Sequence, residues 1–131
     1  MPAVLLCALS VSAAAAVLDA VDTGHGTVAS IAGTKVPLTL DEYRIAPADV
    51  RVHAGRIKIV ARNVGVLTHN VKVESERVDT HGSPIILGGT TTAQPGQTVS
   101  VKIDLAPGRY KLVCTLADHA NLGQRGTLTV R

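Results

Sequence analysis

Three side chains able to bind a metal lie close together near the C-terminal end of the chain. Their pattern is Cys114-x4-His119-x4-Gln124, between an alternating apolar run that ends on the cysteine and a second alternating run after the glutamine. This layout predicts a strand, a loop that carries donor side chains, and another strand. Because a thiolate sulfur and an imidazole nitrogen together select soft or borderline metals such as copper and zinc, the pattern predicts a metal-binding loop between two β-strands.

A second histidine, well upstream, completes a trigonal set of donors. His69 stands just before the alternating residues 70–74. A histidine at the start of a strand means little by itself. Together with Cys114 and His119 it gives two imidazoles and one thiolate, which is the donor set of blue-copper electron-transfer sites. Such ligands bind as thiolate and neutral imidazole, so metal binding lowers the pKa of the cysteine.

These residues resemble the type 1 copper site of the cupredoxins, the group that includes plastocyanin, azurin and stellacyanin. The resemblance runs from about Pro37 to Arg131. The residues 123–128, Gly-Gln-Arg-Gly-Thr-Leu, are close to the Gly-Met-x-Gly-Thr-Leu ending common in bacterial members. The resemblance implies one copper ion held by His69, Cys114 and His119. It also implies that the His119 ring lies near the protein surface, where its edge is the route for electrons.

Gln124 departs from the commonest cupredoxin pattern, in which methionine is the axial ligand. The resemblance to the stellacyanin-like phytocyanins implies that Gln124 binds copper through its amide oxygen. An amide oxygen is a harder donor than a thioether, so we expect it to favour Cu(II) and to lower the reduction potential.

Other residues have supporting roles by the same resemblance. Asn70 and Thr115 are expected to join the two ligand-bearing loops by hydrogen bonds, which hold ligand geometry and tune the metal. Leu67, Ala120 and Leu122 are expected to form an apolar collar around His119. His53 and His81 lie outside the pattern and are interpreted as surface residues.

Short alternating segments between glycine and proline turns would position these ligands. The clearest are residues 57–61, 99–105 and 110–114, with apolar residues on one beat and polar residues on the other. Strands about eight to twelve residues apart predict an all-β fold, an antiparallel Greek-key sandwich or barrel. Tyr110, just after Pro107-Gly108, is expected to pin a corner of that fold.

The composition fits one domain and argues against nucleic acid as a partner. The chain has 131 residues, 46% of them hydrophobic, with no Phe or Trp, so its core must consist of Val, Ile, Leu and Ala. The net charge is only +3, and the Lys and Arg residues lie mostly on the polar beat of the strands without stacking aromatics. A solvated strand face is favoured over a basic face that meets an acidic redox partner.

The N-terminal part is predicted to be separate from the domain. Residues 1–16 resemble the apolar region and small-residue cleavage site of a secretory signal, although no Lys or Arg precedes them. Residues 17–35 are interpreted as a linker and residues 36–131 as a cupredoxin-like domain. A lipidated Cys7 or a membrane anchor are the alternatives, but a span needs roughly 20 apolar residues.

Loss of the leader would leave Cys114 as the only thiol of an exported protein. Since a lone exported cysteine cannot form an internal disulfide, metal ligation becomes the favoured role. We expect an exported monomer in the periplasm, outside the cell or at the cell surface, with membrane association through the N-terminal segment as an alternative.

The leading functional hypothesis is a small electron carrier that acts with redox partner proteins. A site of two histidines, one cysteine and a weak axial ligand has no open position for substrate, so no enzymatic activity is expected. Multicopper oxidases and nitrite reductases need His-x-His pairs, and a binuclear copper site needs a second cysteine in the loop; the chain has neither. Two alternatives remain: copper storage or delivery, and an interaction module without metal.

Overall fold

The computed structural model describes residues 28–131, in which ten strands and no α-helix are found. The strands are β1 (Val28–Ser30), β2 (Lys35–Asp41), β3 (Arg44–Ala46), β4 (Asp49–Val52), β5 (Gly55–Asn63), β6 (Lys72–Val78), β7 (Pro84–Gly89), β8 (Thr98–Leu105), β9 (Gly108–Val113) and β10 (Arg125–Val130). The leader predicted at residues 1–16 lies outside this range. Across residues 28–131, no helix has the length and apolar character to cross a membrane.

The period-two pattern of the sequence builds these strands. In β5, Ile57, Ile59 and Ala61 are fully buried, while Arg56 and Arg62 on the opposite beat are exposed. Apolar side chains on alternate positions point to one face of a strand, so β5 has one face for the core and one for water.

The strands form two sheets that pack as a sandwich. One sheet has the order β1-β4-β10-β9-β6-β7 and the other has the order β3-β2-β5-β8. The predicted β-sandwich is therefore confirmed, with one change: the sheets are mixed rather than antiparallel throughout. The pairs β1–β4, β4–β10 and β2–β5 are parallel. Strand β1 also extends the first sheet to residues upstream of Val36, where the sequence analysis starts the domain.

The hydrophobic core cluster between the sheets consists of aliphatic side chains, as the composition predicts. Tyr110 is half-buried against it, and its hydroxyl donates to the carbonyl of Ala106 at 2.7 Å, across the turn between β8 and β9. The buried core residues are Val36, Leu38, Leu40, Ile45, Val50, Val52, Ile57, Ile59, Ala61, Val71, Val73, Ile103, Leu105, Leu112, Leu128 and Val130.

Strand pairing brings the ligand-bearing segments to one end of the sandwich. β6 runs antiparallel to β9 with Lys72 opposite Val113, so the segment before β6 lies beside the residues that follow β9. β2 and β5 are parallel, with Leu40 opposite Asn63, so the β2–β3 turn lies at the end where β5 runs into the segment before β6. Residues 42–43, 64–71 and 114–124 therefore meet at the same end.

Candidate metal centre

Cys114 is the first residue after β9 and is almost fully buried. Its backbone N–H donates to the carbonyl of Gln124 at 3.1 Å, and the N–H of Gln124 donates to the carbonyl of His119 at 3.0 Å. These two bonds fold residues 114–124, the ligand loop, back on themselves before β10 begins. The thiol is thus fixed at the end of a paired strand, as the sequence predicts.

His119 lies in the ligand loop with its Nδ1 atom 3.5 Å from the sulfur of Cys114. The residue is buried, with 8% of its surface accessible. The ring of Tyr43, from the β2–β3 turn, contacts it edge to face with the ring centres 5.1 Å apart. Tyr43 therefore covers part of the histidine that the sequence analysis places near the surface.

His69 lies in residues 64–71, the His69 loop, and is completely buried. Its backbone pairs with Ala93 in both directions, with N–H···O distances of 3.1 and 2.7 Å. On the side chain, Nε2 lies 2.8 Å from the carboxylate of Glu42, whereas Nδ1 is buried without a hydrogen-bond partner in the described part of the chain.

The structure brings the three predicted strong donors together. One ligand atom from each of His69, Cys114 and His119 lies within 4.8 Å of the others, and all three residues are buried. The His69 and His119 rings are 5.1 Å apart between centres. One sulfur and two imidazole nitrogens at this separation fit a single type 1 copper ion. The unpartnered Nδ1 of His69 fits as well, because a bound metal would satisfy it.

Gln124 is completely buried, and its amide is only half satisfied. Nε2 donates a long hydrogen bond of 3.4 Å to the carbonyl of Arg44, while Oε1 has no partner among residues 28–131. An acceptor oxygen left free in this way is available to a metal. Its axial role remains a prediction from the sequence.

Asn70 and Thr115 form the predicted connection between the His69 loop and the ligand loop. The Thr115 N–H donates to Oδ1 of Asn70 at 2.9 Å, and Nδ2 of Asn70 donates to the Thr115 hydroxyl at 3.1 Å. These residues follow His69 and Cys114 directly, so the bonds fix the two ligands relative to each other. Their effect on a bound metal remains a prediction.

Glu42 is a site residue that the sequence analysis misses. Its carboxylate accepts hydrogen bonds from the N–H groups of Val66 (3.1 Å) and Leu67 (2.8 Å) in addition to its contact with His69. Two hydrogen bonds lower the pKa of Glu42 to about 2: the one from the Leu67 N–H has the larger effect, and the one from His69 comes next. Glu42 lies far from the ligands in the sequence, and the parallel pairing of β2 with β5 brings it to the site. The residues around it therefore give no local signal of this role.

Three apolar side chains of the loops that carry the ligands are exposed to solvent. Val66 and Leu122 are exposed, with 81% and 55% of each residue accessible, and Leu67 is exposed at 40%. Ala120 is half-buried. His53 and His81 are exposed and lie outside the ligand group, as expected.

Comparison with known proteins identifies a family for this arrangement. A sequence profile of the copper-binding plastocyanin/azurin family matches residues 32–131. The resemblance to the cupredoxins is thereby confirmed. No curated protein sequence matches the chain.

Several solved structures share the fold. Dithionite-reduced auracyanin from Roseiflexus castenholzii is 22% identical, with a TM-score of 0.66 over 77% of this chain and 99% of that one. Auracyanin A, a "blue" copper protein from Chloroflexus aurantiacus, is 18% identical, with a TM-score of 0.57 over 78% and 99%. A purple cupredoxin from Nitrosopumilus maritimus is 17% identical, with a TM-score of 0.54 over 73% and 99%. At such identities the likeness concerns the fold.

Proposed function

Because the chain belongs to the plastocyanin/azurin family of copper-binding proteins, we propose that it is a small exported electron carrier with one type 1 copper centre. Copper bound there supplies one-electron chemistry by passing between Cu(I) and Cu(II). The observation that carries the proposal is the buried group of His69, Cys114 and His119, whose ligand atoms lie within 4.8 Å of one another. Redox proteins are the proposed partners.

The protein's part in electron transfer is to hold the ligands still. Cys114 is fixed by its bond to Gln124, and His69 is fixed by its pairing with Ala93. Ligands held before the metal binds need little rearrangement when its charge changes, because the supporting bonds already set their positions. Small rearrangement of the ligands favours electron transfer, since little energy is spent on moving them when the copper changes its oxidation state.

Burial adds a second requirement of an electron carrier, which is the exclusion of substrates. Cys114 is 1% accessible and His69 is not accessible at all. Of these three ligands, His119 has the largest accessible fraction, 8%, and the resemblance to the cupredoxins implies that its ring edge faces solvent. We propose that electrons enter and leave through this edge.

The apolar surface beside His119 is the proposed docking surface for redox partners. Val66, Leu67 and Leu122 are exposed there and carry no charge. An apolar patch of this kind releases water when a partner binds, and it brings the partner close to the histidine edge.

Voltammetry combined with a chelator challenge tests the proposal against copper storage or delivery. An electron carrier gives a reversible Cu(I)/Cu(II) couple and keeps its copper for hours in a moderate excess of a chelator. A storage or delivery protein surrenders copper readily in both oxidation states. Rapid loss of copper together with an irreversible couple would contradict the proposal.

A further inference from the structure

The β2–β3 turn and the His69 loop are joined by one carboxylate. Glu42 accepts hydrogen bonds from the N–H groups of Val66 at 3.1 Å and Leu67 at 2.8 Å, and its Oε1 atom also lies 2.8 Å from Nε2 of His69. These three donors come from within four consecutive residues, so the carboxylate binds the loop along its length.

The contact with His69 determines which ring nitrogen faces the metal site. A carboxylate accepts hydrogen bonds and does not donate them, so Nε2 of His69 must carry the hydrogen. In a neutral imidazole the lone pair is then on Nδ1. Nδ1 is the atom that is buried without a hydrogen-bond partner in residues 28–131. The tautomer that Glu42 selects is therefore the one in which Nδ1 carries a free lone pair and can bind a metal.

The loop is shaped to receive the carboxylate. A Cβ atom at Gly65 would overlap the carboxylate of Glu42, so a larger residue there would displace it. Asn63 supports the same loop, since its Nδ2 donates to the carbonyl of Leu67 at 2.7 Å and its Oδ1 accepts the N–H of Gly65 at 2.9 Å. Gly65 therefore allows the Glu42 carboxylate to approach the loop closely, and Asn63 holds the loop in the conformation that accepts it.

We propose that Glu42 is a positioning residue of the metal site: it fixes the Nε2–H tautomer of His69 and holds the His69 loop, so that Nδ1 is presented as a ligand. The inference rests on the proposed copper site, but it concerns a residue outside the ligand set. A carboxylate that accepts a hydrogen bond from a ligating histidine makes that histidine a stronger donor. We therefore expect Glu42 to strengthen Cu(II) binding and to lower the reduction potential.

The decisive measurement is the ¹⁵N chemical shifts of the His69 ring in the copper-free protein at neutral pH. Wild type should show a protonated Nε2 and an unprotonated Nδ1. In Glu42→Gln, one of the two acceptor oxygens becomes an NH2 group, which faces an N–H donor in either orientation of the amide. The orientation that places NH2 toward Nε2 of His69 favours the opposite tautomer, so a signal from the Nδ1–H tautomer should appear. An Nδ1–H tautomer in the wild type would overturn the inference without any variant.

Copper binding provides the second readout. Loss of an outer hydrogen-bond partner weakens metal affinity by about 10–100-fold, so the Cu(II) dissociation constant of Glu42→Gln should rise by a factor in this range, with a higher reduction potential. Glu76→Gln is the matched control, because Glu76 pairs with Arg109 at 3.2 Å on an exposed surface. Equal tautomers, affinities and potentials in the two variants would overturn the inference.

Gly65→Ala gives an independent route, because it leaves Glu42 in the sequence and displaces its carboxylate. It should shift the His69 tautomer in the same direction as Glu42→Gln. The tautomer is measured without metal, so failure of the role of Glu42 can be distinguished from failure of the proposed copper function. A blue, reversible protein whose His69 is unaffected by either variant refutes only the role of Glu42. A shifted tautomer in a protein that gives no blue copper centre supports that role and refutes the proposed function.

Discussion

Among residues 28–131, two buried side-chain polar atoms at the site have no hydrogen-bond partner. They are Nδ1 of His69 and Oε1 of Gln124. A buried polar atom left without a partner costs about 1–3 kcal/mol, so such atoms point to something that binds them. The sulfur of Cys114 and Nδ1 of His119, 3.5 Å apart, belong to the same end of the fold. In the copper-free protein the unpartnered atoms of His69 and Gln124 lower the free energy of unfolding. A metal bound to them would offset that loss.

Gln124→Met should raise the reduction potential of the copper protein. A thioether is a softer donor than an amide oxygen and favours Cu(I) over Cu(II), because the axial ligand tunes the potential of such sites. Voltammetry of both proteins under the same conditions measures the change. An intense visible band in the variant serves as the control that Cys114 still binds. An unchanged or lower potential would show that Gln124 is not an axial ligand.

The three strong ligands could be predicted because residue type and local spacing both identify them. Cys114 and His119 lie in one loop between two clearly alternating segments, and His69 precedes a third. Glu42 and Tyr43 could not be predicted as site residues. They lie far from the other site residues in the sequence, and only the pairing of β2 with β5 brings their turn to the site.

At the scale of elements, two loops must keep a fixed distance for the ligands to meet. Strands β6 and β9 pair with Lys72 opposite Val113, and the Asn70–Thr115 bonds continue that connection beyond the sheet. The two ligands Cys114 and His69 each lie next to one of these residues. The hydrogen bonds between the loops and the register of the strands therefore together set the relative positions of His69 and Cys114.

Asn70→Ala should lower the free energy of unfolding of the copper-free protein by about 1–3 kcal/mol, because it removes two hydrogen bonds made by a buried side chain. Chemical denaturation measures the loss. Thr115→Val is the matched control: it removes the hydroxyl but keeps the N–H bond to Oδ1 of Asn70 at 2.9 Å, so its cost should be smaller. A larger loss in Thr115→Val than in Asn70→Ala would contradict this account.

The existence of most strands follows from the sequence, but their pairing does not. The alternation in residues 57–61 and 99–105 predicts strands with the correct inward faces, as the burial in β5 confirms. Parallel pairing of β2 with β5 and of β4 with β10 depends on long-range packing, for which turns give no local signal. The apolar residues of β7 show the same limit: Ile86 is 53% exposed because its strand lies at the edge of the sheet.

In the whole molecule, the ligands and the exposed apolar residues Val66, Leu67 and Leu122 lie at the same end of the sandwich. Val66 and Leu122 project from the two loops that carry His69 and His119. The far end of β6 carries Val78, another exposed valine, away from the site. This separation lets the docking role of the apolar end be tested with similar substitutions at two places.

Val66→Glu should slow electron self-exchange between Cu(I) and Cu(II) proteins by about tenfold, because two negative charges would face each other when the apolar ends meet. NMR line broadening in mixed samples gives the rate. The reduction potential should change little, since Val66 is highly exposed. Val78→Glu is the control and should keep close to the wild-type rate. Equal slowing by both substitutions would indicate an effect of net charge rather than of docking.

The visible absorption spectrum of the wild type and of Cys114→Ser, each with one equivalent of Cu(II), tests whether copper is bound through the Cys114 thiolate. A type 1 centre predicts an intense visible band in the wild type, which arises from the thiolate bound to copper and is absent from the serine variant. Bound copper with a pale or colourless wild-type solution would contradict a thiolate-bound centre. So would a band of equal strength in Cys114→Ser.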